Sequence, residues 1–216
     1  MGRTKKRKSN LVKLLLENWR NFVIFENIET ATRLSIFDFD ETIAFTTGVI
    51  NVTDKTTGET FQTRTQEEYD EIKNDERYEF DFSPLDQVTD ATENPNITSI
   101  MRDRLQDPDT QVMVLTARAP VSIDDIHRTL QTFDEPIETK SIVMIGNEGG
   151  NKGEYIRDVV LSKYNNIKEI EFYDDSNQNI LDMQAVKNET SADGSIEKFD
   201  IYKVTEGIPK LQHSND

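Results

Sequence analysis

Apolar positions fall along the chain in two rhythms. Short runs stand at Leu34-Ser35-Ile36-Phe37, Val112-Met113-Val114-Leu115, Ser141 to Ile145, Ile167 to Tyr173 and Phe199 to Val204. Runs of this length, apolar toward both faces, suit the buried strands of a parallel sheet. Between them apolar residues recur at helical spacing: Ile97, Ile100, Met101 and Leu105; Ile123, Ile126 and Leu130; Ile156, Val159, Val160 and Tyr164; Ile180 and Met183. From residue 111 onward strand and helix patterns alternate, the mark of βαβ units. The expected class is α/β, a parallel sheet flanked by helices.

Two stretches break the alternation. Val49 to Thr53 and Thr60 to Arg64 are rich in β-branched residues and flank Asp54-Lys55-Thr56-Thr57-Gly58-Glu59, which predicts a hairpin. Residues 66–93 are strongly acidic and read as an exposed helix and loop, so residues 45–95 or so form an insertion. At the start, residues 1–9 read as a basic tail. Ser9 or Asn10 is placed to cap a helix carrying Leu11, Leu14, Leu15, Trp19, Phe22 and Phe25. That helix has three readings: docked on its own domain, given to a protein partner, or lying on a membrane surface. The chain thus divides into residues 1–26 and a domain over 27–216, with a frayed polar end expected from Gln212.

Composition narrows the chemistry. At 216 residues and 35% hydrophobic content the chain can bury one sizeable core. It has no cysteine, which removes disulfides, thiolate nucleophiles and cysteine metal sites, and agrees with a cytoplasmic setting. With only His127 and His213, acid–base work falls to carboxylates. A formal charge of -16 repels nucleic acid from most of the surface, yet Arg3, Lys5, Lys6, Arg7, Lys8 and Lys13 gather at one end. No apolar run is long enough to span a bilayer.

The candidate chemistry gathers at strand ends. Asp38 and Asp40 follow the first strand, Thr116-Ala117-Arg118 the second, and Asp174-Asp175 the fourth, with Lys152 near a helix start between them. Right-handed crossovers bring such ends to one edge of a sheet, where α/β proteins bind their ligands. Carboxylates suit a hard cation such as Mg²⁺, and a hydroxyl with an ammonium suits phosphoryl oxygens.

The ordered set Ile36-Phe37-Asp38-Phe39-Asp40-Glu41-Thr42, Val112-Met113-Val114-Leu115-Thr116, Lys152 and Phe172-Tyr173-Asp174-Asp175 resembles the four motifs of the haloacid dehalogenase superfamily of phosphohydrolases. The resemblance spans roughly residues 34–187 and implies a Rossmann-like domain with a small hairpin-and-helix cap. It implies Asp38 as nucleophile and Asp40 as general acid and base. Thr116 and Lys152 would hold the phosphoryl group, and Mg²⁺ would be bound by Asp38, Asp40 and Asp175, with Asp174 orienting the site or a metal-bound water. Thr42, Ala117, Arg118 and Lys152 are the substrate-binding candidates. For Thr42 a role in stabilising the loop is the alternative, and for Arg118 a pairing with the neighbouring acidic segment. Asn177 and Asn179 read as capping and surface groups.

The layout also broadly resembles the phosphatase modules of polynucleotide kinase-type repair enzymes and phosphatase-like proteins of tailed phages. The expected activity is hydrolysis of a phosphomonoester on a small molecule, a nucleotide or a nucleic-acid end, in the host cytoplasm if the source is viral. The alternative is a binding or assembly protein of the same fold, attached through its N-terminal helix.

Overall fold

The computed structural model describes residues 30–146 and 151–214, without the side chains at 66 and 67. The N-terminal tail and the helix expected over Leu11 to Phe25 lie outside the described residues.

The parallel strands expected from the apolar runs are present. β1 (Arg33–Phe37), β7 (Thr110–Thr116), β8 (Ile142–Met144), β9 (Glu169–Asp174) and β10 (Lys198–Thr205) run parallel, and β11 (Ile208–His213) returns antiparallel at one edge. The order is β11-β10-β9-β1-β7-β8. β1 is therefore central, and its two neighbours are the strands that end in Thr116 and Asp174.

Alternation along the strands sends apolar side chains to both faces, so each face needs a cover. Leu34, Ile36, Met113, Leu115, Phe172 and Ile201 pack under α4 (Lys152–Tyr155), its π-helical continuation Ile156–Leu161, and α5 (Asn177–Asp193). Phe37, Val112, Val114, Tyr173 and Val204 pack under α2 (Pro95–Gln106) and α3 (Ile123–Thr132). Phe37, Tyr173 and Tyr202 stack across three adjacent strands at 4.7 and 4.5 Å between ring centres. The result is a mixed α/β fold with a six-stranded, mostly parallel sheet flanked by helices.

The insertion contains the expected hairpin, β3 (Ile50–Asp54) with β4 (Thr60–Thr63). The acidic stretch after it is more ordered than the sequence predicts. α1 (Gln66–Ile72) is followed by β5 (Tyr78–Asp81), which pairs with β3 to complete a three-stranded antiparallel sheet. A further two-stranded ladder joins β2 (Ala44–Phe45) to β6 (Thr92–Glu93) where the insertion leaves and re-enters the domain. The expected fraying from Gln212 is also corrected, since Gln212 and His213 belong to β11. Its turn is made by Glu206 and Gly207, both at positive φ (51° and 75°).

Candidate functional site

The register sets which groups meet. Phe37 pairs with Val114 on one side and Tyr173 on the other, so Asp38, Thr116 and Asp174 leave three adjacent strands at one edge. The Asp38 N–H donates to the Tyr173 carbonyl at 2.9 Å, which keeps Asp38 at the strand tip.

Lys152 reaches this edge from α4. Asn151 caps that helix by accepting from the Glu154 N–H at 2.9 Å, and its amide donates to Asp182 of α5 at 2.9 Å. Gly153 allows close contact with α5, because a Cβ there would lie 2.9 Å from the Asp182 carbonyl oxygen. Held this way, the buried ammonium of Lys152 donates to Asp38 Oδ1 and, at 2.7 Å, to Asp174 Oδ2.

Asp174 is fully buried and saturated. Besides Lys152 it accepts from the Ser176 N–H at 2.8 Å and from the Asn179 amide at 3.0 and 3.1 Å. Asn179 is thus neither a cap nor a plain surface group: Ser176 caps α5, and the third residue beyond a cap faces back toward the residues before it. Asp175 points into the cleft beside this cluster.

Charge is out of balance here. Asp38, Asp174 and Asp175 bring carboxylate oxygens within 4.8 Å of one another, against one ammonium. Burial pushes the Asp38 carboxyl up to about 7, with Asp174 and Asp40 adding to the rise and Lys152 opposing it. Burial, then Asp174 and Asp38, holds Asp175 well above the usual carboxylate range. For Lys152 burial alone would lower the value, but Asp174 and Asp38 outweigh it and hold the ammonium charged. A clustered set of hard oxygen donors with surplus negative charge fits a divalent cation of the Mg²⁺ type.

Asp40 is placed apart from this cluster and engaged elsewhere. Arg118 grips it with Nε and Nη2, both at 2.8 Å, and the Thr46 hydroxyl donates to it at 2.7 Å. Arg118 is only 2% exposed and its Nη1 also donates to the carbonyls of Leu85 and Gln87, at 2.5 and 3.0 Å. Of the two readings of Arg118, the geometry here is pairing, with Asp40 itself and with carbonyls of the insertion.

These groups line one cleft of about 470 Å³, with Asp38, Asp40, Thr116, Ala117, Arg118, Lys152 and Asp175 on the sheet side and residues of β3, β4 and α1 opposite. Thr116 is buried and its hydroxyl accepts from the Arg118 N–H at 3.2 Å. Thr42 does not line the cleft. It is fully buried, its carbonyl accepts from the Asn94 amide at 2.8 Å, and its hydroxyl has no hydrogen-bond partner among the described residues.

The fold and the cleft together define a mixed α/β protein with an acidic, cation-ready site at the carboxyl edge of its sheet. Comparison with family models, with curated proteins and with solved structures gives no match. Among the described residues no helix is long and apolar enough to cross a membrane.

Proposed function

We propose that the chain is a Mg²⁺-dependent phosphomonoesterase of the haloacid dehalogenase type, acting through an aspartyl phosphate on Asp38. The reading extends to a nucleotide or polynucleotide terminal phosphate as substrate. The observation that carries it is the meeting of Asp38, Lys152, Asp174 and Asp175 with Thr116 at the ends of three adjacent parallel strands.

In this scheme an Asp38 oxygen attacks phosphorus, and the bond from phosphorus to the leaving oxygen breaks. Asp40 gives its proton to that oxygen, then as a carboxylate takes a proton from the water that attacks the aspartyl phosphate. Free phosphate leaves and Asp38 is restored. Lys152 keeps its proton throughout and offsets charge on Asp38 and on the incoming phosphoryl group. The Thr116 hydroxyl supplies a hydrogen bond to a phosphoryl oxygen. Asp38, Asp175 and the main-chain carbonyl of Asp40 would hold Mg²⁺, with Asp174 orienting the site, and the ion when bound would supply positive charge against the carboxylates and the phosphoryl oxygens. Arg118 donates to both Asp40 carboxyl oxygens, so Asp40 must turn out of that grip to reach the leaving oxygen.

The test is phosphate release from an aryl phosphate, a panel of phosphorylated metabolites, and 3′- and 5′-phosphorylated oligonucleotides. Release that needs Mg²⁺ and stops with a chelator is expected. A folded protein that releases phosphate from none of them overturns the reading.

A further inference from the structure

The insertion is acidic, yet it turns its cations toward the cleft. From Glu59 to Glu93 it holds twelve carboxylate residues against three cations, Arg64, Lys73 and Arg77. Arg64 and Lys73 line the cleft with Thr63, Thr65, Tyr69 and Phe82, and among the described residues none of the twelve carboxylates does. Arg77 is used outside it, against Asp75 at 2.8 Å and over the Tyr78 ring.

The other cations of the cleft are committed to its floor, Lys152 to Asp38 and Asp174, Arg118 to Asp40. Arg64 makes no ion pair among the described residues. Its main chain is fixed, because its N–H donates to Glu68 Oε2 at 2.6 Å beside the capping box that starts α1. Lys73, at the other end of α1, is partly exposed and pairs with Asp70 at 2.8 Å. A chain of charge -16 repels a polyanion nearly everywhere, so two cations facing the reacting edge single out where a second anion is welcome.

We propose that Arg64 and Lys73 form a subsite for a second phosphate carried by the leaving group. The substrate class is then a nucleoside bisphosphate or a phosphorylated nucleic-acid end, in preference to a simple phosphomonoester. Tyr69 and Phe82, packed edge to face at 5.8 Å, add flat surface for a base on the same wall. The assignment rests on the phosphatase reading for the phosphate that reacts, while the second-anion subsite is tested by binding alone.

The experiment titrates full-length Asp38→Asn protein with Mg²⁺ and three ligands: adenosine 3′-monophosphate, adenosine 3′,5′-bisphosphate and a 3′-phosphorylated dinucleotide. The same ligands serve as substrates of the wild type. At least one of the two longer ligands is expected to bind about tenfold tighter than the monophosphate, the size of one charge-assisted contact. The tighter of the two names the source of the second anion. The preference should vanish in Arg64→Gln/Lys73→Gln and shrink in Arg64→Gln alone, each variant checked for an unchanged melting curve. Equal affinity for all three, or a preference that survives the double substitution, overturns the subsite. Turnover without preference leaves the phosphatase reading standing and removes the subsite; preference in binding without turnover does the reverse.

Discussion

Lys152 is 1% exposed, so the carboxylates it joins have little water to fall back on. Replacing it by Met leaves Asp38 and Asp174 buried without their cation, which costs about 3–5 kcal/mol. In metal-free buffer the variant should melt roughly 10 °C lower by calorimetry, at about 2–4 °C per kcal/mol for a chain of this size. An unchanged melting point contradicts the pairing. Lys152 was legible only through its order among the other motifs, since one lysine before a helix carries no signal of its own. Asn179 was harder still, because its bonds to Asp174 arise from the turn at Ser176 rather than from any motif. Away from the cleft, Glu135 is another buried carboxyl, and no motif points to it. Arg102 lies 2.8 Å away at ion-pair distance but without hydrogen-bond alignment. Burial pushes Glu135 up to about 7, Glu93 and Asp134 push the same way, and Arg102 offsets only part. The folded-state value lies above the unfolded one of 4.5, so the fold favours the protonated form. That stability is fully present below about pH 4.5 and is lost as the pH rises through about 7. Melting curves from about pH 5 to about pH 8 should therefore show Glu135→Gln gaining on the wild type as the pH rises. A constant difference contradicts this.

At the scale of elements, a buried side chain ties the insertion to the sheet. Arg118 leaves the end of β7, holds Asp40 after β1, and reaches the carbonyls of Leu85 and Gln87, at and just beyond the 3₁₀ turn Ser83–Asp86. Arg118→Gln is expected to loosen that attachment. Hydrogen exchange should speed up in residues 78–90, which carry few other buried groups, and stay unchanged in β9. Equal rates in both proteins sink the tether. The buried parallel strands and the helices between them were legible because their apolar runs and 3.6-residue spacing have no competing explanation. β5 was not, because Tyr78-Glu79-Phe80-Asp81 buries only one side of a small exposed sheet and its charges blend into the acidic run. β11 was hidden for the same reason: Ile208 and Leu211 are each 52% exposed, and an edge strand of polar residues looks like a tail.

For the whole molecule, the proposed divalent cation would link stability to the surplus charge at the cleft. A ligand that binds only the folded state at about a hundred times its Kd adds about 2.7 kcal/mol. Mg²⁺ should therefore raise the wild-type melting point by roughly 5–10 °C. Asp175→Asn, which removes one carboxylate of the cluster, should blunt that rise, and an equal rise in both proteins contradicts the metal assignment. The architecture of the sheet could be read from hydrophobic rhythm. The division of labour between Asp38 and Asp40 came from the family resemblance, because the two look alike in hydrophobic and polar pattern; in the structure Lys152 holds the first and Arg118 the second. Aryl phosphate hydrolysis in Mg²⁺ by the wild type and by Asp38→Asn separates the nucleophile from its neighbour. Phosphate release by the wild type is expected, with a loss of at least about a thousandfold in the variant, the scale of removing a covalent nucleophile. A folded Asp38→Asn protein that hydrolyses the ester at a rate comparable with the wild type would contradict it.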